Sequence, residues 1–193
     1  MDRGSIRIGG SDVRDYTLES LMDQISIVFQ NVYLFADTIE NNIKFGCPNA
    51  THAQVVEAAK KACCDDFIES LPKGYETVIG EGGASLSGGE KQRISIARAM
   101  LKDAPIVILD EATANVDPEN EDRLQRAIEA LTGGKTIIMI AHRLKTVKNA
   151  DQILVIDHGE IVQQGRHETL INQKGIYADF VGSKRETVDW KLK

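Results

Sequence analysis

Short apolar runs alternate with longer amphipathic stretches along this 193-residue chain. The runs Ile25–Phe29, Ile106–Leu109 and Thr136–Ile140 are typical of strands buried on both faces of a parallel sheet. Between them apolar residues recur at helical spacing, most clearly after Ser87 and Asp117, and both of these residues are good helix N-caps. The pattern therefore predicts an α/β fold with a mostly parallel sheet flanked by helices.

Smaller elements are expected elsewhere. They are a strand and turn at 4–10, a short helix capped by Thr17, a helical stretch from Thr51 to Leu71, a β-hairpin turning at Asp157–Gly159, and two helices beginning near His167 and Gly175. The tail 182–193 is charged and is expected to fray.

Composition excludes some classes of protein. The net charge is −6 with a pI near 5.3, and no cluster of Lys and Arg is present, so a nucleic-acid partner is not expected. No apolar run approaches the roughly 20 residues of a membrane span, so a membrane role would need a partner. The cysteines Cys47, Cys63 and Cys64 have neither zinc nor CxxC spacing and are expected to be small residues in a reducing compartment.

Two segments in the middle of the chain contain candidate functional residues. Ser87-Gly88-Gly89 precedes a helix, and the free N–H groups and positive dipole of a helix N-terminus attract anions. Asp110 and Glu111 follow a buried strand, where α/β folds place their ligands. One of these carboxylates would suit Mg²⁺, and the other would suit activation of a water molecule.

The sequences LSGGEKQR (86–93) and IVILDE (106–111) resemble the signature motif and Walker B motif of an ATP-binding cassette (ABC) ATPase. The resemblance implies a P-loop NTPase-like fold in an ATPase domain over 1–181, with an inserted helical subdomain at about 38–102. It implies ATP and Mg²⁺ as cofactors. At the fifth signature position Glu90 replaces the common Gln, and because phosphate repels a carboxylate we expect Glu90 to point elsewhere.

The same resemblance implies residue roles. It implies catalytic roles for Glu111, His142 and Gln30. It implies that the nucleotide is bound by Ser87, Gly88, Gly89 and Asp117, and that the metal ion is bound by Asp110 and Gln30. In such a site Asp110 would hold Mg²⁺, and Glu111 would act as general base or orient the attacking water. Gln30 and His142 would complete the site.

One family motif is missing. The phosphate-cradling Walker A loop, G-x-x-x-x-G-K-[ST], does not occur. The nearest sequence, Gly134-Lys135-Thr136, has Glu129 in place of the first glycine and precedes a strand instead of following one, so Gly133-Gly134 is better interpreted as a helix C-cap. Relative to the family the chain is thus interpreted as N-terminally truncated. The first P-loop strand and helix would be missing, part of the core would be exposed, and ATP binding by the chain alone would be weak.

Two further segments resemble those of exporter-type cassettes. Gln30–Phe35 leads into a "TI.ENI" run, and Thr77–Gly83 resembles a "T.VGE.G" segment. The resemblance implies that both face the transmembrane domains of a transporter, and that a second ABC ATPase domain completes a head-to-tail dimer at the cytoplasmic face of the membrane. The alternative for Tyr33 and Phe35 is that they pack in the hydrophobic core of the domain and do not face a transmembrane partner.

The function predicted from these motifs is that of an ATP-hydrolysing domain that drives export. The alternative is a non-hydrolysing module that supplies only the signature half of a composite site. A DNA-maintenance ATPase would carry a long coiled coil between its motifs, and none is present. A soluble tandem-cassette translation factor is disfavoured by the two exporter-like segments.

Overall fold

The computed structural model describes residues 3–83, 85–110, 118–141 and 147–182. The chain divides into two compact units, Met1–Ile140 and Ala141–Lys193. Among the described residues of the first unit the strands are β1 (Arg7–Ile8), β2 (Ser11–Asp12), β3 (Ile25–Val28), β4 (Ile106–Asp110) and β5 (Thr136–Ile140). Its α-helices are α1 (Leu18–Asp23), α2 (Ile39–Lys44), α3 (His52–Lys61), α4 (Asp65–Glu69), α5 (Gly88–Lys102) and α6 (Pro118–Thr132).

The centre of the first unit is a three-stranded parallel sheet in the order β3-β4-β5. The connections from β3 to β4 and from β4 to β5 contain α5 and α6, and right-handed crossovers place such helices on the same face. Val28, Val107 and Leu109 on that face are buried against the two helices in one apolar core. The predicted α/β fold with a parallel sheet is therefore confirmed.

The opposite face of the sheet is exposed. Ile27, Ile108 and Ile138 form one row across the three strands in register. The outer two are 42% and 51% exposed, and Ile140 is 49% exposed. Part of the core is thus open to solvent, as the missing P-loop strand and helix led us to expect.

Two elements of this unit differ in detail from the sequence pattern. The helical stretch predicted at Thr51–Leu71 contains two helices, since α3 ends before Cys63, whose φ of 54° is left-handed, and α4 begins at Asp65. A left-handed residue terminates a helix by turning the chain away from its axis. Strand β3 ends at Val28, one residue before the predicted end, and Phe29, which was predicted to be buried, is 56% exposed.

The second unit contains the predicted hairpin, with strands β6 (Ile153–Asp157) and β7 (Glu160–Gly165). His158 and Gly159 both have positive φ, as a tight two-residue hairpin turn requires. Helix α7 (His167–Leu170) and a helical segment at 176–182 follow. They pack on the hairpin through an apolar cluster, and His167 Nδ1 lies 2.8 Å from the Tyr177 hydroxyl. Within the described ranges, no helix is both long enough and apolar enough to cross a membrane.

Candidate functional site

The candidate anion site is the N-terminus of α5. Ser87 caps this helix, its Oγ accepting from the N–H of Glu90 at 3.3 Å. In return Glu90 Oε2 accepts from the N–H and the hydroxyl of Ser87, both at 2.8 Å. This reciprocal capping box fixes the start of the helix. It also turns the Glu90 carboxylate onto Ser87, so the expectation that Glu90 points away from the predicted phosphate contacts is wrong.

Gly88 and Gly89 supply the first N–H groups of α5. Residues in a first helical turn have no intrahelical acceptor for their N–H groups. Gly88 is exposed, and a Cβ built on it would meet nothing within 4 Å. A ligand can therefore approach the backbone at the positive end of a 15-residue helix. This is the geometry that an anion requires.

A second group of predicted site residues lies at the carboxyl edge of the sheet. Asp110 is the last residue of β4, and Gln30 is the second residue after β3. Because Val28 and Leu109 are partners in a parallel ladder, the structure brings Gln30 and Asp110 to the same edge. Carboxylate and amide oxygens are suitable Mg²⁺ ligands.

Helix α5 packs alongside β3. Near one end Lys102 Nζ donates to the carbonyl of Ile25 at 2.8 Å, and near the other Gln92 Nε2 donates to the carbonyl of Phe29 at 3.3 Å. The helix therefore runs antiparallel to β3. Because Gln92 already contacts Phe29, just beyond the end of β3, the first turn of α5 projects past the carboxyl edge of the sheet. Ser87 and the two glycines therefore lie beyond that edge, on a different element from Asp110. Sequence reasoning did not identify Gln92, which is buried.

Three predicted site residues, Glu111, Asp117 and His142, lie outside the described residues. Their roles stay predictions.

The two exporter-like segments are neighbours. Gly82 N–H donates to Leu34 O at 3.1 Å, Ile79 N–H donates to Asp37 O at 3.0 Å, and Thr38 forms an antiparallel bridge with Val78. The first of these bonds joins Gln30–Phe35 directly to Thr77–Gly83, and the other two join Asp37 and Thr38, just after Phe35, to the same segment. The two segments therefore form one surface, although more than forty residues separate them in sequence.

This surface carries an aromatic patch, which we define as Tyr33, Phe35 and Phe45. Their exposed fractions are 54%, 39% and 62%, whereas Leu34 is fully buried. The ring centroids of Tyr33 and Phe35 are 5.5 Å apart, and those of Phe35 and Phe45 are 4.7 Å apart. Tyr33 and Phe35 are therefore surface residues. Phe45 was missed, since it joins the patch only through tertiary contact.

Arg98 of α5 lies against the patch and against Asn42 of α2. Its Nε donates to the Asn42 carbonyl at 2.8 Å, and its guanidinium carbon lies 5.4 Å from the Phe45 ring centroid. Burial lowers the pKa of the Arg98 guanidinium. Both residues were missed by sequence reasoning. The only local signal was Asn42, a poor helix former inside a helix.

A polar cavity of about 610 Å³ lies beside α2 and α3, lined in part by Glu40, His52, Lys73 and Tyr75. The Glu40 carboxylate lies 2.6 Å from Lys44 Nζ and 2.7 Å from His52 Nδ1. Burial alone would raise the pKa of Glu40, but hydrogen bonds from Lys44 and His52 lower it overall.

No cluster of metal-ligating side chains occurs in the part of the chain that the structure describes.

Comparison with known proteins identifies the family to which this chain belongs. A family profile described as "ABC transporter" matches residues 1–114. The chain is 55% identical over 174 residues to an ATP-dependent lipid A-core flippase of Syntrophus aciditrophicus, covering 90% of this chain and 29% of the relative. It is 51% identical over 179 residues to the corresponding flippase of Vibrio cholerae, covering 92% of this chain and 31% of the relative.

Among solved structures, a bacterial Atm1-family ABC exporter with ATP bound matches with a TM-score of 0.87 and 43% identity, covering 94% of this chain and 32% of that one. The chain belongs to the ABC transporter family, and its fold is that of the ATPase domain of exporter-type members. It spans about three-tenths of the length of these relatives.

Proposed function

We propose that this chain is the ATPase part of an ABC exporter, and that it contributes the signature half of one ATP site and the hydrolytic carboxylate of another. The observation that carries this proposal is the N-terminus of α5, where Ser87 fixes the helix start and Gly88 leaves open space above the backbone. A nucleotide phosphate fits there, because the helix N-terminus offers N–H donors and a partial positive charge.

The residues at the edge of the sheet suit a magnesium ion. Asp110 and Gln30 would hold Mg²⁺ with their side-chain oxygens. When bound, Mg²⁺ neutralises phosphate charge during phosphoryl transfer. Glu111 would orient or deprotonate the attacking water, and His142 would keep it in line. Asp117 would contact the neighbouring ATPase domain. The last three assignments rest on the family motifs.

The cradle for the phosphates must come from a Walker A loop, which these 193 residues do not contain. In a head-to-tail dimer the signature of one ATPase domain closes the nucleotide site of the other, so Ser87, Gly88 and Gly89 would serve a partner's nucleotide. The alternative function, a non-hydrolysing module that lends only its signature helix, uses the same three residues and needs no catalysis by Glu111.

The partner on the membrane side is proposed to dock on the aromatic patch. Exposed aromatic side chains are enriched at interfaces, and this patch lies on the continuous surface formed by Gln30–Phe35 and Thr77–Gly83. The transmembrane domains of an exporter would supply the covering segment. The position that we propose for the chain is the cytoplasmic face of a membrane, and the similarity to a flippase and to an exporter supports association with a membrane transporter.

Calorimetric titration of MgATP tests the nucleotide site. The 193-residue chain would be compared with a chain extended at its N-terminus by the Walker A strand and helix of the Syntrophus aciditrophicus relative. We expect micromolar binding and ATP hydrolysis only from the extended chain, with hydrolysis abolished by Glu111→Gln while binding is kept.

Two other outcomes would change the proposal. Binding without hydrolysis by the extended chain, at concentrations where it dimerises, would favour the signature-only alternative. Tight binding and turnover by the 193-residue chain itself would mean that it holds a nucleotide site unlike the one proposed.

A further inference from the structure

The aromatic patch is held from below by Asn42, a polar side chain only 1% exposed. Its Nδ2 donates to the carbonyls of Phe35 and Thr38, both at 3.0 Å. Its Oδ1 accepts from the Phe35 N–H at 2.9 Å and from an Arg98 nitrogen at 3.3 Å. All the hydrogen-bonding capacity of the amide is therefore used, and it fixes the Phe35 backbone relative to Arg98.

Arg98 makes the connection to α5. Its Nε–H donates to the Asn42 carbonyl at 2.8 Å, and its guanidinium carbon lies 5.8 Å and 5.4 Å from the ring centroids of Phe35 and Phe45. No carboxylate forms an ion pair with Arg98 within the described ranges. Its contacts are directional hydrogen bonds and cation–π contacts with the two rings, which set geometry more than they neutralise charge.

The backbone just after α2, at Gly46, also meets the backbone of α5 directly. A Cβ on Gly46 would overlap the carbonyl oxygen of Arg98. Closely packed elements of this kind move together, because a well-packed contact has little free volume to absorb a displacement.

We propose that Asn42 and Arg98 are positioning residues that transmit a displacement of the aromatic patch to the signature end of α5. Arg98 follows Gly88 on the same uninterrupted helix, about 15 Å along its axis. A segment that presses on Phe35 or Phe45 moves the guanidinium and, with it, the first turn of the helix. The use of this movement in transport rests on the function proposed above, but the mechanical link does not.

The test uses the full 193-residue chain, labelled with ¹⁵N and without nucleotide. The patch is perturbed by Phe45→Ala, and the amide chemical shifts of Gly88 and Gly89 are measured before and after. The comparison is repeated in an Arg98→Lys background, which keeps the charge but loses the planar fork and the stacking. We expect both glycine amides to shift in the native background and this response to be lost with lysine.

Two further backgrounds separate transmission from stability. Asn42→Ser breaks the same link from the other side and should also abolish the response. Lys102→Ala removes a different anchor of α5, to the carbonyls of Met22 and Ile25, and should leave the response intact. If the Arg98→Lys chain does not fold, the Asn42→Ser background is used instead. Loss of the glycine response there supports transmission, and a retained response contradicts it.

The proposal is overturned if Phe45→Ala leaves the glycine amides unmoved, if the response survives in the folded Arg98→Lys or Asn42→Ser chain, or if Lys102→Ala abolishes it equally. A merely structural Arg98 would lower stability and leave the response in place. Since no nucleotide is present, a failure here is distinct from a failure of the proposed ATP site.

Discussion

The helical part of the first unit and its parallel sheet differ in how completely they are covered. In the helical part, Ile43 of α2 and Ile94 of α5 are fully buried, and α3 and α5 both begin with a capping box. The sheet has the same kind of apolar residues, yet one of its faces is open. Helix α5, which begins at the signature motif, is therefore covered without a further layer of structure. The sheet is not, although parallel sheets normally have both faces covered.

The largest expected effect comes from comparing the two faces of the sheet. Leu109→Ala removes a buried side chain from the covered face and should lower the free energy of unfolding by about 2–5 kcal/mol, because it leaves a cavity. Ile138→Ala on the open face should cost less than about 1 kcal/mol, because the side chain is half exposed already.

Urea unfolding followed by circular dichroism measures both values. The comparison fails if the two substitutions cost the same, since the faces would then be equally covered in solution. A change in the midpoint without a change in the slope keeps the interpretation within two-state unfolding.

A smaller effect is expected at the start of α5. Ser87→Ala removes the cap and should cost about 1 kcal/mol, whereas Ser87→Gly should cost only a few tenths of a kcal/mol, because glycine is tolerated at an N-cap. Thermal and urea unfolding of the two variants would measure the difference. Equal losses would argue that the hydroxyl is not what stabilises the helix start.

The pH dependence of stability should report on Glu40. Its pKa is lowered in the folded chain, so its ion pairs stabilise the fold above the unfolded pKa, and this contribution is lost as the pH falls through the lower folded value. Unfolding midpoints measured from pH 7 down to about pH 3 should fall less steeply in Glu40→Gln than in the native chain. Parallel slopes for the two chains would contradict this assignment.

The smallest effect concerns the cysteines. Burial raises the pKa of the Cys64 thiol to about 12, while Cys47 and Cys63 are partly exposed. Only a thiolate reacts readily with an alkylating reagent. At about pH 8 we therefore expect iodoacetamide to modify the other two cysteines and leave Cys64 unmodified until urea is added. Modification of all three at equal rates would show that this part of the core opens readily.

Much of the local structure could be predicted from the sequence because it depends on neighbouring residues. Thr17 and Ser87 cap helices where their hydroxyls meet the backbone N–H three residues later. The hairpin turn at His158-Gly159 follows from turn chemistry in the same way. The break at Cys63 was missed, because a left-handed residue other than glycine gives no local signal.

The amino-acid sequence alone specified the family motifs, the order of the elements and the apolar strands of the sheet, since periodicity and caps act over a few residues. The folded chain was needed to show that Gln30–Phe35 meets Thr77–Gly83, that Phe45 joins their surface, and that Arg98 links this surface to α5. These contacts join residues far apart in sequence. They depend on how whole helices pack, and no local pattern encodes that packing.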